Sequence, residues 1–350
     1  MYHARRADKE SSGDIRTSNQ ITARGAAEDL AVTDRDAPKS SEVDAEVDVV
    51  SRFGPELAQL TVVMLWASTF VVAKAAFAEV SPLAFLFARF VIMVTLAFAV
   101  LLVLQRGAGR WVDRSDWGLF VLAGLTGYTL YQLGFILGLS RTSPFSSSLL
   151  IAMVPLFTVL ILAVMGEPTP LQGWVGLGVA LVGVALFLLD KRGASAGTLL
   201  GDVLSIGAAV SFAVYGIIMR PLVRKYPAET YTAWTVLAGT VPLLLVSLPD
   251  ALRQDWHSVS LPGWFSIVYL AIFPVYIAYI LWNFAIARRG VAKASSFGLL
   301  VPIVAGLLSA IFFAEPFGPL KLLGAGLVLA GLVIVRARVW RRPAAKGATV

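Results

Sequence analysis

Glu167-Pro168 is followed by Gly176, Gly178 and Gly183, and the same five residues return at Glu315, Pro316, Gly324, Gly326 and Gly331, each shifted by 148 positions. Tyr128 and Tyr131 recur as Tyr276 and Tyr279 at that shift. Trp117 recurs as Trp264 and Pro155 as Pro302, one residue closer. An offset held across a Glu-Pro corner and a Gly-rich apolar run marks one unit built twice, which has to be recognised before any local assignment. Whatever this chain folds into, it folds as two related halves.

The halves are too apolar for a water-soluble globule. Of 350 residues, 57% are hydrophobic and 15% charged, against roughly a quarter charged in soluble domains. The charge is also unevenly placed: residues 1–52 hold eight Lys/Arg and eleven Asp/Glu, and the remainder 21 and 11. The first 52 residues have no apolar core of a signal peptide, and their composition favours a disordered cytoplasmic tail. There is no cysteine, and the two histidines are His3 and His257, so neither a thiolate or imidazole metal site nor a cofactor is expected. The basic excess sits between apolar segments, where membrane topology accounts for it without nucleic acid as a partner.

Crossing the hydrocarbon layer takes roughly 20 apolar residues per helix. Ten segments meet that length: about 57–78, 82–104, 117–139, 143–165, 171–189, 199–219, 228–248, 262–286, 291–313 and 319–338. The predicted fold class is therefore an all-α integral membrane protein whose ten transmembrane helices form two five-helix repeats, 57–189 and 199–338, with a short tail at 339–350. With the amino terminus inside, fourteen Lys/Arg fall on the inner connections and five on the outer ones. This distribution predicts both termini in the cytoplasm, across the cytoplasmic (inner) membrane. Five is odd, so the second repeat enters from the opposite side and is inverted. Inverted repeats around a midplane site are the architecture of secondary transporters working by alternating access.

Polar groups within spans are costly and become functional candidates. Tyr128, Tyr131 and Gln132 of the third span, and Tyr276, Tyr279 and Asn283 of the eighth, lie at helical spacings that place each set on one face. They either wall a substrate cavity or tie helix to helix. Trp66 with Ser68 and Thr69, Phe212 with Tyr215, and Trp234 with Thr235 extend that wall or pack in the core. Lys74 and Arg89 lie about 6 and 10 Å from the ends of adjacent helices at ~1.5 Å per residue. Lys74 is expected to snorkel outward; Arg89 either does so or meets an anion. Ser146, Ser147, Ser148, Ser295 and Ser296 allow close helix approach, and Pro155 and Pro302 are candidate hinges. Both Glu-Pro corners are expected at the surface, capping the following helices. The glycines after them are expected to allow tight packing of the fifth and tenth spans, with a homodimer contact left open.

The segments WASTFVVAK, FARF, SSSLLIAMVP and GEPTPLQGWVGLGVALVG in the first half carry a recognisable pattern. The second half continues it with GDVLSIGAAVSFAVYGIIMR, AYILWNFAIARRGVAKASSFGLLVP, AEPFGPLKLLGAG and LVLAGLVIV. Together they resemble the drug/metabolite transporter superfamily, in its EamA-type form with two five-helix repeats, over about residues 57–338. The stretch from Pro155 to Glu167 is one residue shorter than that from Pro302 to Glu315. The resemblance implies an exporter of small solutes (amino acids, other metabolites or drugs) with the lipid bilayer as its other partner. An intramembrane enzyme would need HExxH or a Cys/His group, and a motor a GxxxxGK[ST] loop, and none is present. A channel or scaffold without alternating access stands as the other reading.

Overall fold

The structure, a computed structural model, describes residues 40–104, 111–189, 197–289 and 297–341, with side chains placed from Gly54 onward through Arg336. Among these residues the secondary structure is helical throughout. Among the described residues nine helices are long and apolar enough to cross a membrane: Gly54–Ala76, Pro82–Leu104, Arg114–Arg141, Pro144–Val164, Leu171–Leu189, Leu199–Lys225, Ala228–Arg253, Leu261–Arg289 and Pro319–Arg336. A tenth apolar helix, Leu300–Phe313, comes after residues 290–296, which lie outside the described set together with Ser295 and Ser296. Counted in chain order, Leu300–Phe313 belongs to the ninth span and Pro319–Arg336 is the tenth.

The two halves interlock span by span. The second span packs on the seventh, the fourth on the ninth and the fifth on the tenth, each span meeting its own counterpart. The third span packs on the sixth and seventh, and the second on the eighth. Small residues make these approaches close. A methyl group on Gly183 would come within 2.7 Å of the Gly324 carbonyl oxygen, and one on Gly176 within 2.7 Å of that of Gly331. The Gly-rich runs are thus consumed by contact between the fifth and tenth spans of one chain, whereas Gly178 and Gly326 face open space.

Two spans are interrupted just ahead of a proline. Helix Pro144–Ile151 breaks at Ala152 and Met153 before helix Val154–Val164, which has Pro155 in its first turn. The ninth span turns at Gly298 and Leu299 before Leu300–Phe313, which carries Pro302. Proline supplies no backbone N–H and fits a first turn, so each break lies just upstream of its proline.

The Glu-Pro corners differ, and one of them departs from the expectation of a surface position. Gly166 (φ 85°) and Ala314 (φ 49°) occupy the same repeat position, each closing a helix in the left-handed region. Glu167, next in the chain, is exposed and pairs with Arg220 at 3.0 Å. Glu315 is buried: its side chain is 2% exposed and pairs with Lys321, itself 7% exposed, at 2.5 Å. Ser143 and Ser309 donate hydroxyls to the same carboxylate, and the Lys321 ammonium sits 5.6 Å from the ring centres of both Phe145 and Phe187. Glu315 therefore joins the ninth-to-tenth connection to the start of the fourth span instead of capping a helix at the surface. A buried pair survives only when its remaining hydrogen-bonding capacity is met, and here the two serines meet it.

Lys74 also departs from expectation. Instead of snorkelling outward, its ammonium donates to the carbonyls of Leu139, Ser140 and Thr142 at 2.9, 3.0 and 2.9 Å. These are unpaired acceptors around the end of the third span, where a cation is favoured by the helix dipole. Thr142 Oγ1 donates to Asp202 Oδ1 at 2.7 Å, fastening that same end to the sixth span.

Candidate functional site

The third and eighth spans are not uniform α-helices. Each passes through a π-helical segment, Leu125–Leu130 in one and Phe273–Ile277 in the other. The two start 148 positions apart, so the bulge itself is part of the repeat. π-Segments rotate the register of the residues beyond them and concentrate at functional sites. The bulges therefore move the tyrosine sets off the simple face that α-helical spacing predicts. Tyr128 and Tyr276 lie within the bulges, and Tyr131 and Tyr279 just after them.

In the eighth span, proline explains the bulge. Pro274 cannot donate to the carbonyl of Leu270 four residues earlier, and Arg89 Nε donates to that carbonyl instead, at 3.1 Å. Trp66 Nε1 donates to the Pro274 carbonyl at 3.1 Å. Its indole stands 5.2 Å from the ring of Trp282. Tyr276 Oη donates to the Met93 carbonyl at 3.0 Å. First, second and eighth spans are thus stitched together at the bulge by a tryptophan, an arginine and a tyrosine.

The third span has threonine where the eighth has Pro274. Thr126 Oγ1 donates to the Leu122 carbonyl at 2.8 Å, the position that corresponds to Leu270. Thr129 Oγ1 donates across to the Gly239 carbonyl at 2.7 Å. Gly127 must be glycine, because a methyl group there would enter the Tyr215 ring. Around it the rings form a continuous wall. Tyr128 lies 5.9 Å from Tyr215, Tyr215 5.3 Å from Phe212, and Phe212 4.8 Å from Tyr131.

Tyr279 faces that wall. It lies within electrostatic reach of Tyr128, Tyr131, Tyr215 and Tyr231, which come from the third, sixth and seventh spans. Yet 53% of its surface is accessible. Asn283, one turn further on the same face, is exposed as well.

The residues expected from the sequence fall into three groups. Tyr128, Tyr131, Tyr215 and Tyr279 come within electrostatic range of one another through Tyr279, with Asn283 one turn further along its helix. Arg89, Gln132, Trp66 and Tyr276 bind neighbouring spans at the eighth-span bulge, with Arg89 Nη1 donating to Gln132 Oε1 at 3.4 Å. Thr69 and Trp234 stand apart. Thr69 is buried and donates to Leu65 of its own helix at 3.0 Å. Trp234 packs with Phe98, Trp111 and Trp117 at 5.6, 6.1 and 5.2 Å, toward the end of the bundle. Sequence reasoning missed Trp282, the partner of Trp66, and the buried pair Glu315–Lys321. A lysine six residues past a Glu-Pro corner, in an otherwise apolar stretch, was the available signal. Among the described residues no group of His, Asp and Glu is placed to hold a metal.

The family model described as EamA-like transporter family matches residues 55–189 and again 199–337. An uncharacterized transporter of Archaeoglobus fulgidus is 31% identical over 274 residues, covering 78% of this chain and 95% of the relative. A protein of Streptantibioticus cattleyicolor, named a probable terminal-alkyne amino-acid exporter, is 32% identical over 228 residues, covering 65% and 75%. One of Salmonella typhimurium, named a probable amino-acid metabolite efflux pump, is 25% identical over 285 residues, covering 79% and 92%. A solved crystal structure matches 83% of this chain and 100% of its own with a TM-score of 0.56 at 22% identity, a likeness of fold alone.

Proposed function

The chain belongs to the EamA-like transporter family and is a multi-pass membrane transporter, and on that premise we propose that it exports a small organic solute through the hollow between its third and eighth spans. The observation that carries the reading is Tyr279, within electrostatic range of tyrosines of three other spans and still 53% accessible. Tyrosine rings offer flat apolar contact with a hydroxyl at one end, which suits an amphipathic solute. The relatives named as an amino-acid exporter and an amino-acid metabolite efflux pump make amino acids and their derivatives the first solutes to try.

Alternating access supplies the cycle in this reading. Two inverted repeats let the halves exchange roles around a fixed site, and the breaks before Pro155 and Pro302 give each half a point of flexure. The bundle end that holds Glu315, Lys321, Lys74 and Asp202 is tied together by buried and half-buried polar bonds. The opposite end carries the exposed Glu167–Arg220 pair. The predominance of Lys/Arg on the second end agrees with its lying in the cytoplasm, with both termini there, and the hollow would then open inward.

The test is flux. Purified protein in liposomes, loaded in turn with apolar and aromatic L-amino acids and with their amides, is expected to release at least one solute faster than empty vesicles do. Equal release from both kinds of vesicle for every solute overturns the reading. Cysteines introduced on opposing spans at each end, crosslinked in turn, separate a carrier from a channel. Either crosslink alone arrests a carrier, whereas a channel keeps conducting with one end tethered.

A further inference from the structure

Arg89 is the buried charge that the fold explains least. It is 4% exposed, on the second span and within a bundle read as lying in lipid. Two other cations, the buried Lys321 and the half-buried Lys74, have full answers. Lys321 has the Glu315 carboxylate, and Lys74 has three backbone carbonyls. Arg89 has less. Its Nε serves the carbonyl left without a donor by Pro274, and Nη1 reaches Gln132 Oε1 at 3.4 Å, the long end of hydrogen-bond range. A guanidinium carries five N–H donors, and these two bonds occupy two of them. No carboxylate among the described residues pairs with it; the titratable neighbour that bears on it is Tyr131.

A cation held inside a membrane protein without a counter-ion is costly, and such residues mark substrate paths and ligand counter-ions. Lysine would serve as a point charge, but the planar fork of arginine matches a carboxylate at two nitrogens at once. Here Nε is tied to the eighth span, which fixes the plane of the fork and leaves terminal N–H groups over. Tyr131 joins the two regions, interacting electrostatically with both Arg89 and Tyr279. Its ring belongs to the wall with Phe212 and Tyr215.

We infer that Arg89 is the anion subsite of the transporter and receives the carboxylate of an exported solute, whose apolar body lies against Tyr131, Phe212 and Tyr215. This rests on the reading of the hollow as the solute path. It requires the carrier to distinguish a carboxylate from the same molecule with that group neutralised.

L-Phenylalanine and L-phenylalaninamide differ in that group alone and serve as probes, in vesicle release and in calorimetric titration of the detergent-solubilised full chain. The wild type is expected to favour the acid over the amide by about tenfold or more, near 1.4 kcal/mol or above. Arg89→Gln is expected to abolish the preference by weakening the acid and sparing the amide, and Arg89→Lys to recover part of it. A role confined to holding Leu270 would lower both probes together in Arg89→Gln and leave the wild type indifferent between them. Equal handling of the pair by the wild type overturns the inference while the transport reading stands, and it needs no variant to fold. Preference for the amide overturns it too. If neither probe nor any other amino acid or amide moves, the transport reading fails and this inference with it.

Discussion

A single carboxylate shows how far environment separates two copies of one motif. Glu167 and Glu315 occupy the same repeat position, but the first is half-exposed beside Arg220 and the second is buried with Lys321, Ser143 and Ser309. Exposed pairs contribute about 0–1 kcal/mol, whereas removing one partner of a buried pair costs about 3–5 kcal/mol. Glu315→Gln is therefore expected to lower the midpoint of thermal unfolding in detergent strongly, with Glu167→Gln nearly silent. Adding Lys321→Met to Glu315→Gln should recover most of the loss, because the charge left behind is what costs. If the two single variants lose equally, burial is not what distinguishes the corners. One residue earlier, Ala314 holds the left-handed φ that its counterpart Gly166 adopts freely. Ala314→Gly is expected to stabilise by about 1 kcal/mol, from relief of a left-handed alanine that costs about 1–2 kcal/mol, and Gly166→Ala to destabilise by a similar amount. Outside the spans, Glu79 accepts from the backbone N–H and the hydroxyl of Ser260, both at 2.8 Å. The Ser260 hydroxyl and backbone bonds hold its carboxyl below the ordinary glutamate value. The tie between the first connection and the start of the eighth span is thus complete above that ordinary value and is lost as pH falls through the lowered one. Which corner is buried was not legible from the shared Glu-Pro pair; Lys321, six residues past the second corner, was its one signal. Burial is set by what other segments bring to a residue, and Ser143 lies 172 positions from Glu315.

At the scale of elements, glycine spacing was legible and its use was not. The paired runs foretold close packing of the fifth and tenth spans. That Gly183 and Gly324 meet each other, while Gly178 and Gly326 face open space, depends on how the two helices are rotated. Gly183→Leu is expected to force those spans apart at a cost of about 1–3 kcal/mol or more, as overpacking does, and Gly178→Leu to be tolerated. Comparing their unfolding midpoints checks the rotation, and equal losses would mean it is wrong. The π-segments were half legible. Pro274 announces a break in the ladder of the eighth span, but at the matching position the third span has Thr126, which closes its own Leu122 carbonyl. Nothing local distinguishes that threonine from any other in a helix. At that bulge Gly124 closely approaches Gly239 and Gly127 closely approaches Tyr215.

Across the whole molecule, the hollow is the feature to test. The chain has no cysteine, so Tyr279→Cys and Tyr276→Cys can be made without background. Tyr279→Cys is expected to react with a small charged thiol reagent much faster than Tyr276→Cys, whose parent side chain is half-buried against Met93. The sided reaction, from one face of the membrane and suppressed by a transported solute, is the signature of a carrier cavity. Equal rates from both faces would favour a continuous pore. The sequence by itself determined the repeat, the spans, the family and the tyrosine sets, because those rest on apolar run length and a fixed offset, which are properties of the chain order. Only the tertiary structure decided which polar groups are buried, which carbonyls Arg89 and Trp66 serve, and where space is left between helices. The physical reason is that desolvation and packing are fixed by the side chains that distant spans bring together, and a residue's own neighbours in the chain carry no record of them.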